Sequence, residues 1–160
     1  MGYDTTFARY NYNALPRGFA VAKGFEDKGI VLPYRTTKYA AGYDFTSPVD
    51  VTIEPQGSAV IHSGVKAWMQ PDEVLKLYIR SSLGIRKGIT QGNSVSIIDA
   101  DYYGNTKNDG EIVICLRNLG DEPQIIRKGE RIVQGIFQKY LTCGDEPDGV
   151  REGGVGSTGN

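Results

Sequence analysis

The sequence predicts an all-β domain of the barrel or sandwich kind, and three observations carry that prediction. Helical periodicity is hard to find, short runs rich in Val, Ile and Tyr recur along the chain, and turn-forming residues separate them. The 160 residues suffice for one domain and one core, in which roughly 68 to 70% of the extended chain's surface becomes buried.

The candidate strands follow in order. IVLPY at 30–34, VTIEP at 51–55, SAVIHSGV at 58–65, VLKLYI at 74–79, VSII at 95–98, IVICL at 112–116, QII at 124–126 and RIVQGIF at 131–137 have strand lengths and strand-favouring side chains. Glu54-Pro55-Gln56-Gly57 and Arg127-Lys128-Gly129-Glu130 turn between them, because Pro presets φ and Gly tolerates left-handed geometry. Asn108-Asp109-Gly110 closes a longer excursion that begins at Gly104. One short helix is expected at most, over Ser81 to Gly88, with Gly84 interrupting it. Residues 1–140 read as the β domain, with residues 1–25 as an N-terminal extension. Residues 141–160 read as a glycine-rich arm with almost nothing to bury.

Composition narrows the function. A net charge of −1 with no long block of either sign argues against nonspecific duplex binding, so no nucleic-acid partner is expected, while a small local cluster of arginines could still grip a few phosphates. Cys115 and Cys143 are too few for a disulfide framework and suit a reducing compartment. The first residues lack an apolar export core, and no stretch of eighteen apolar residues occurs, so neither export nor a membrane partner is expected.

Several constellations bear on chemistry. Arg80-Ser81-Ser82-Leu83-Gly84 offers a rigid fork of donors, two hydroxyls and a glycine that permits close approach. That set suits phosphate oxygens, and it equally describes an exposed turn. Asp99 ends an apolar run, where a sheet would fix it as a base; Asp101 could share a cation with it, although the pair alone makes no metal site. Tyr102 and Tyr103 could form a platform under a sugar or base, or simply pack at a strand surface. Lone His62 reads as structural, and Trp68 as an apolar plug at a strand-to-turn junction. Arg151, Ser157 and Thr158 lie among glycines that could wrap an anion or form an unordered terminus.

Five blocks, read in order, resemble the trimeric dUTP pyrophosphatase family: Ala41-Gly42-Tyr43-Asp44-Phe45, Arg80-Ser81-Ser82-Leu83-Gly84, Ile98-Asp99-Ala100-Asp101-Tyr102 with Gly104, Gly129-Glu130-Arg131-Ile132-Val133-Gln134, and Gly156-Ser157-Thr158-Gly159. The resemblance implies a jelly-roll-like β-barrel, a homotrimer with sites at subunit boundaries, and Mg2+-dependent hydrolysis of dUTP to dUMP and pyrophosphate in the cytoplasm of a bacterial or phage-infected cell. It implies that Asp99 activates the water attacking the α-phosphorus and that the Tyr102 ring lies under the deoxyribose. Arg80, Ser81, Ser82, Gly84 and Gln134 would contact phosphates or support the site, and Asn93 and Ile98 would belong to a uracil-reading hairpin. Arg151, Gly156, Ser157 and Thr158 would close over the nucleotide from another subunit. Mg2+ would be held mainly by the triphosphate and waters.

The chain departs from the family pattern in places. Val155 stands where a phenylalanine usually stacks on uracil, and the spacing from Arg151 is one residue short, which implies weaker base contact with chemistry retained. Ser96 replaces a usual glycine, and its side chain would either crowd the pocket or face away. Residues 105–110 lengthen a turn that could serve a regulatory protein partner, as in some phage members. A dCTP deaminase is the enzymatic alternative, but Cys115 stands where such enzymes carry a glutamate.

Overall fold

The computed structural model describes residues 15–144, 147–149, 151 and 153. It contains eleven strands: β1 (Gly18–Val21), β2 (Tyr43–Thr46), β3 (Val51–Ile53), β4 (Ser58–His62), β5 (Val65–Trp68), β6 (Glu73–Ile79), β7 (Ile89–Gln91), β8 (Ser96–Asp99), β9 (Val113–Asn118), β10 (Gln124–Ile126) and β11 (Arg131–Lys139). One helix, α1 (Ser81–Lys87), and a single 3-10 turn, Ala100–Tyr102, complete the elements. No helix among the described residues is long and apolar enough to cross a membrane.

All strand pairs are antiparallel and fall into four sheets, ordered β2-β11-β6-β8, β4-β9-β7, β1-β5 and β10-β3. The all-β expectation therefore holds, but the hydrogen-bonded ladders do not close into a barrel. The physical reason lies at β7 and β8, which are consecutive in sequence yet form the edges of two different sheets. Between those sheets Gln91 replaces a ladder with a side-chain bond, its Nε2 donating to the Leu77 carbonyl at 2.8 Å.

Side-chain alternation explains which faces meet. Along β9, Ile114, Leu116 and Asn118 turn inward while Arg117 is exposed, and along β8 Ser96 and Ile98 turn inward while Ile97 and Asp99 face out. In β6 nearly every residue is covered, and Leu75 and Leu77 are fully buried, each contributing about 1.5–3 kcal/mol through burial. Glu73 opens that strand under a two-pronged contact from Arg17, whose guanidinium holds the Glu73 carboxyl below the usual carboxylate range.

Local chemistry accounts for the departures from the sequence reading. Residues 30–34 form no strand; Pro33 offers no amide donor, and pairing is confined to one bridge between Tyr34 and Asp44. The run 58–65 breaks at Gly64, where φ is +68° and the position a Cβ would take is already filled by Ile30 and Phe25. Strands β1, β2 and β7 escape a search for apolar runs because they hold three or four residues each and include Gly18, Asp44 and Gln91. Helix α1 forms where expected and ends on Gly88, a left-handed cap whose N–H bonds the Leu83 carbonyl.

Gly135, in the middle of β11, lies under Phe45, Leu75 and Leu77, and a Cβ there would come within 2.9–3.1 Å of all three side chains. Gly135→Ala is expected to destabilise the fold by about 1–3 kcal/mol through overpacking, read as a lower urea midpoint with an unchanged slope.

Candidate active site

Asp99 is the last residue of β8, in extended backbone with its side chain half exposed, and the chain then tightens into the 3-10 turn. Arg151 lies across this end. Its Nη2 is 2.5 Å from Asp99 Oδ2, its Nε donates to Asp101 Oδ1 at 2.8 Å, and its guanidinium carbon is 5.8 Å from the centre of the Tyr102 ring. The two carboxylates thus share one cation supplied by the chain. A group drawing Arg151 away would uncover Asp99.

The Tyr102 ring is held from behind. Its hydroxyl donates to the Glu111 carbonyl at 2.9 Å and accepts from Asn108 Nδ2 at 2.9 Å, while Asn105 Nδ2 donates to the Tyr102 carbonyl. The Glu111 carboxylate takes the Gly64 N–H and the His62 imidazole, which gives His62 a structural place. Asp109 pins the outer end of this loop, accepting from Lys66 Nζ at 2.5 Å and from the Lys23 N–H at 2.8 Å. The long turn of residues 105–110 thus braces Tyr102 from its inner side.

A second cluster surrounds Asp44, which is 6% exposed. Arg80 Nε lies 3.0 Å from its Oδ1, and Arg131 Nη1 lies 3.0 Å from its Oδ2. A carboxylate this deep needs such compensation, and two cations leave a net positive group beside Ser81 and Ser82, both exposed in the first turn of α1. Gln134 pairs across β11 with Asp44 on one side and Tyr78 on the other, and its side chain packs over Gly42, where a Cβ would meet it at 2.7 Å. Gly84 has ordinary space around it toward Ile79 and Ile89, so packing does not demand a glycine there.

One chain does not bring these two clusters together. Asp99 pairs with Val74 near the start of β6, whereas Arg80 follows its end six residues on, so at about 3.3 Å per residue they lie about 20 Å apart.

Between them, the facing edges of β7 and β8 are not paired with each other. Backbone groups on such edges can take strand-like hydrogen bonds from a flat ligand. Asn93 is exposed in the connecting segment, while the Ile98 side chain is buried on the core face of the edge strand β8. Ser96 neither crowds an open pocket nor faces solvent: it is 5% exposed, with Oγ 2.9 Å from Gln91 Oε1 and 3.3 Å from Asn93 Oδ1. Gly156, Ser157, Thr158 and Val155 lie outside the described residues.

Sequence reading missed Asp44 and Arg131 as site residues, although both stood inside quoted blocks. An aspartate within a strand-like run was the available signal, since burial would oblige it to find cations. Asn105, Asn108 and Glu111 gave no comparable signal. Among the described residues no group of three or more His, Cys, Asp or Glu side chains could hold a metal ion, which leaves Asp99 and Asp101 as a pair. Both cysteines are unpaired.

Comparison with known proteins bears on this geometry. The dUTPase family model matches residues 28–159. A deoxyuridine 5'-triphosphate nucleotidohydrolase of Lactococcus lactis is 44% identical over 146 residues, covering 89% of this chain and 97% of the relative. The corresponding protein of Corynebacterium jeikeium is 36% identical over 131 residues, covering 81% of each. Among solved structures, a dUTPase from Streptococcus mutans superposes with a TM-score of 0.74 at 39% identity, covering 80% of this chain and 99% of that one. A mutant dUTPase of phage phi11 of S. aureus, described with a structural Mg(II) ion, shares the fold at a TM-score of 0.65 and 22% identity, covering 85% of this chain and 97% of that one.

The brace around Tyr102 has an acid dependence. Burial alone would raise the Asp109 carboxyl, but the Lys66 ammonium and the Lys23 N–H outweigh it and hold the group below its ordinary range. A carboxyl with a lowered folded-state value stabilises the fold above its unfolded value, about 3.9, and that contribution disappears as pH falls through the folded value. Asp109→Asn is therefore expected to lower stability at neutral pH, with the gap from wild type closing on acidification. Urea denaturation from about pH 7 down to about pH 3 measures it.

Proposed function

The chain belongs to the dUTPase family and hydrolyses dUTP to dUMP and pyrophosphate, and we propose that each site is assembled between subunits of a homotrimer from the two clusters that one chain holds apart. The separation along β6 is the observation that carries this reading. An acidic end with Asp99 and a cationic end with Arg80 complement one another between copies, and cannot meet within one. In the jelly-roll form of this fold, the glycine-rich residues 141–160 serve as an arm crossing to a neighbouring site, where Arg151 makes between subunits the contacts it makes here within the chain.

The chemistry then follows from the residues. Uracil lies along the open edges of β7 and β8, read by main-chain groups beside Asn93 and Ile98. The Tyr102 ring, fixed by Asn108 and Glu111, sits against the deoxyribose and leaves no room for a 2'-hydroxyl. The triphosphate draws Arg151 off Asp99 and Asp101, and the arm residues Gly156, Ser157 and Thr158 close over it with Arg151. Asp99, now free, accepts a proton from a water as that water's oxygen bonds to the α-phosphorus; the bond from that phosphorus to the oxygen leading to the β-phosphorus breaks, and pyrophosphate departs. Arg80, Ser81, Ser82 and Gln134 of a neighbouring copy orient the phosphates, with Gly84 in the supporting helix, and Asp44 fixes the Arg80 fork.

The donor set fits Mg2+ entering on the triphosphate: the phosphate-facing groups are cations, hydroxyls and an amide, Asp44 is taken up by Arg80 and Arg131, and the remaining carboxylates of the site are the Asp99 and Asp101 pair. Bound there, Mg2+ would neutralise charge building on the departing pyrophosphate. A cytoplasmic setting suits the two unpaired cysteines.

Asp99→Asn is expected to keep dUTP binding while kcat falls by about 10²–10⁴-fold. Pyrophosphate release from dUTP, UTP, dTTP and dCTP, followed in wild type and variant, checks both the role and the substrate. Near-normal turnover in the variant removes Asp99 from the mechanism, and ammonia released from dCTP would favour deamination instead.

A further inference from the structure

Gln91 is 2% exposed and cannot turn its carboxamide over, because Nε2 already donates to the Leu77 carbonyl at 2.8 Å and to the Ser94 carbonyl at 3.2 Å. Its Oε1 is therefore an acceptor and nothing else. Ser96, buried beneath the connecting segment, has one hydroxyl proton, and the nearer acceptor, Gln91 Oε1 at 2.9 Å, takes it. That leaves only lone pairs on Ser96 Oγ facing Asn93, whose carboxamide oxygen lies 3.3 Å away. Two acceptors without a proton between them repel, and the conflict disappears when the Asn93 carboxamide turns over and donates from Nδ2 to Ser96 Oγ.

From this we infer that Ser96, with its proton committed to Gln91, is a positioning residue that holds the Asn93 carboxamide with its oxygen facing the open edges of β7 and β8. An acceptor fixed there complements a ring N–H, such as the imide N3–H of uracil. Cytosine presents a lone pair at the same ring position and meets the Asn93 oxygen as acceptor against acceptor. The inference rests on the proposed placement of the base between β7 and β8, and it deepens that reading by assigning part of the base preference to a hydroxyl that never touches the nucleotide.

The test uses the full chain with dUTP and dCTP as substrates. Ser96→Ala is expected to raise KM for dUTP by about fivefold, the worth of one hydrogen bond, to leave kcat within about twofold, and to lower the preference for dUTP over dCTP in kcat/KM by a similar factor. The same change made in an Asn93→Ala background is expected to add nothing, because Ser96 acts only through Asn93. Ser96→Gly removes the same hydroxyl and provides the reading should the alanine variant fold poorly. An unchanged KM and preference, or an equal effect with Asn93 absent, overturns the inference while leaving dUTP hydrolysis standing. A wild-type protein that releases no pyrophosphate from dUTP overturns the underlying reading itself.

Discussion

The length of β6 is the constraint on which the rest depends. All seven of its residues pair with β11, and Val74, Leu75, Lys76 and Leu77 pair with β8 as well, so neither end can bend toward the other without breaking a ladder. The acidic group of Asp99 and Asp101 is fixed at one end and the cationic group of Arg80 and Arg131 at the other. A rigid central strand holds each group in place within its own chain, and under the shared-site proposal it also keeps a single chain from completing a site.

Buried polar groups do the positioning. Asp44 binds two arginines, Glu111 ties the β4–β5 corner to the Tyr102 brace, and Asn118 bonds the Ile53 and Glu122 carbonyls while accepting from the Gly120 N–H. Each would cost stability if left unpartnered, and each fixes a loop that hydrophobic packing alone would leave loosely defined. The apolar core of Phe45, Leu75, Leu77 and Ile132 supplies the driving force. The polar set determines where the loops that carry chemistry lie.

Much of this was legible in the sequence, for reasons that differ between elements. The strand at Gln124–Ile126 was readable with its observed bounds, and β6, β8, β9 and β11 to within one or two residues, because β-branched runs between turns are a local signal. Three- and four-residue strands containing Gly18, Asp44 or Gln91 lack such a run, and their pairing is decided by partners distant in sequence. The Asp99 and Arg80 motifs were visible as ordered blocks, yet nothing local says that six residues of extended chain keep them apart. The Arg151 contact with Asp99, the cations around Asp44 and the brace of Asn105 and Asn108 are all long-range or loop-specific. Composition could not have located them.

Subunit mixing tests the shared-site account most directly. Asp99→Asn and Arg80→Ala proteins, each purified and inactive or nearly so, would be unfolded together in equal amounts and refolded, and their pyrophosphate release from dUTP compared with that of each refolded alone. If Asp99 and Arg80 serve one site from different subunits, random assembly leaves about one site in four with both residues intact, and activity returns to about a quarter of wild type. Activity that stays at the average of the two separate variants would place both residues in the site of a single chain and contradict the account.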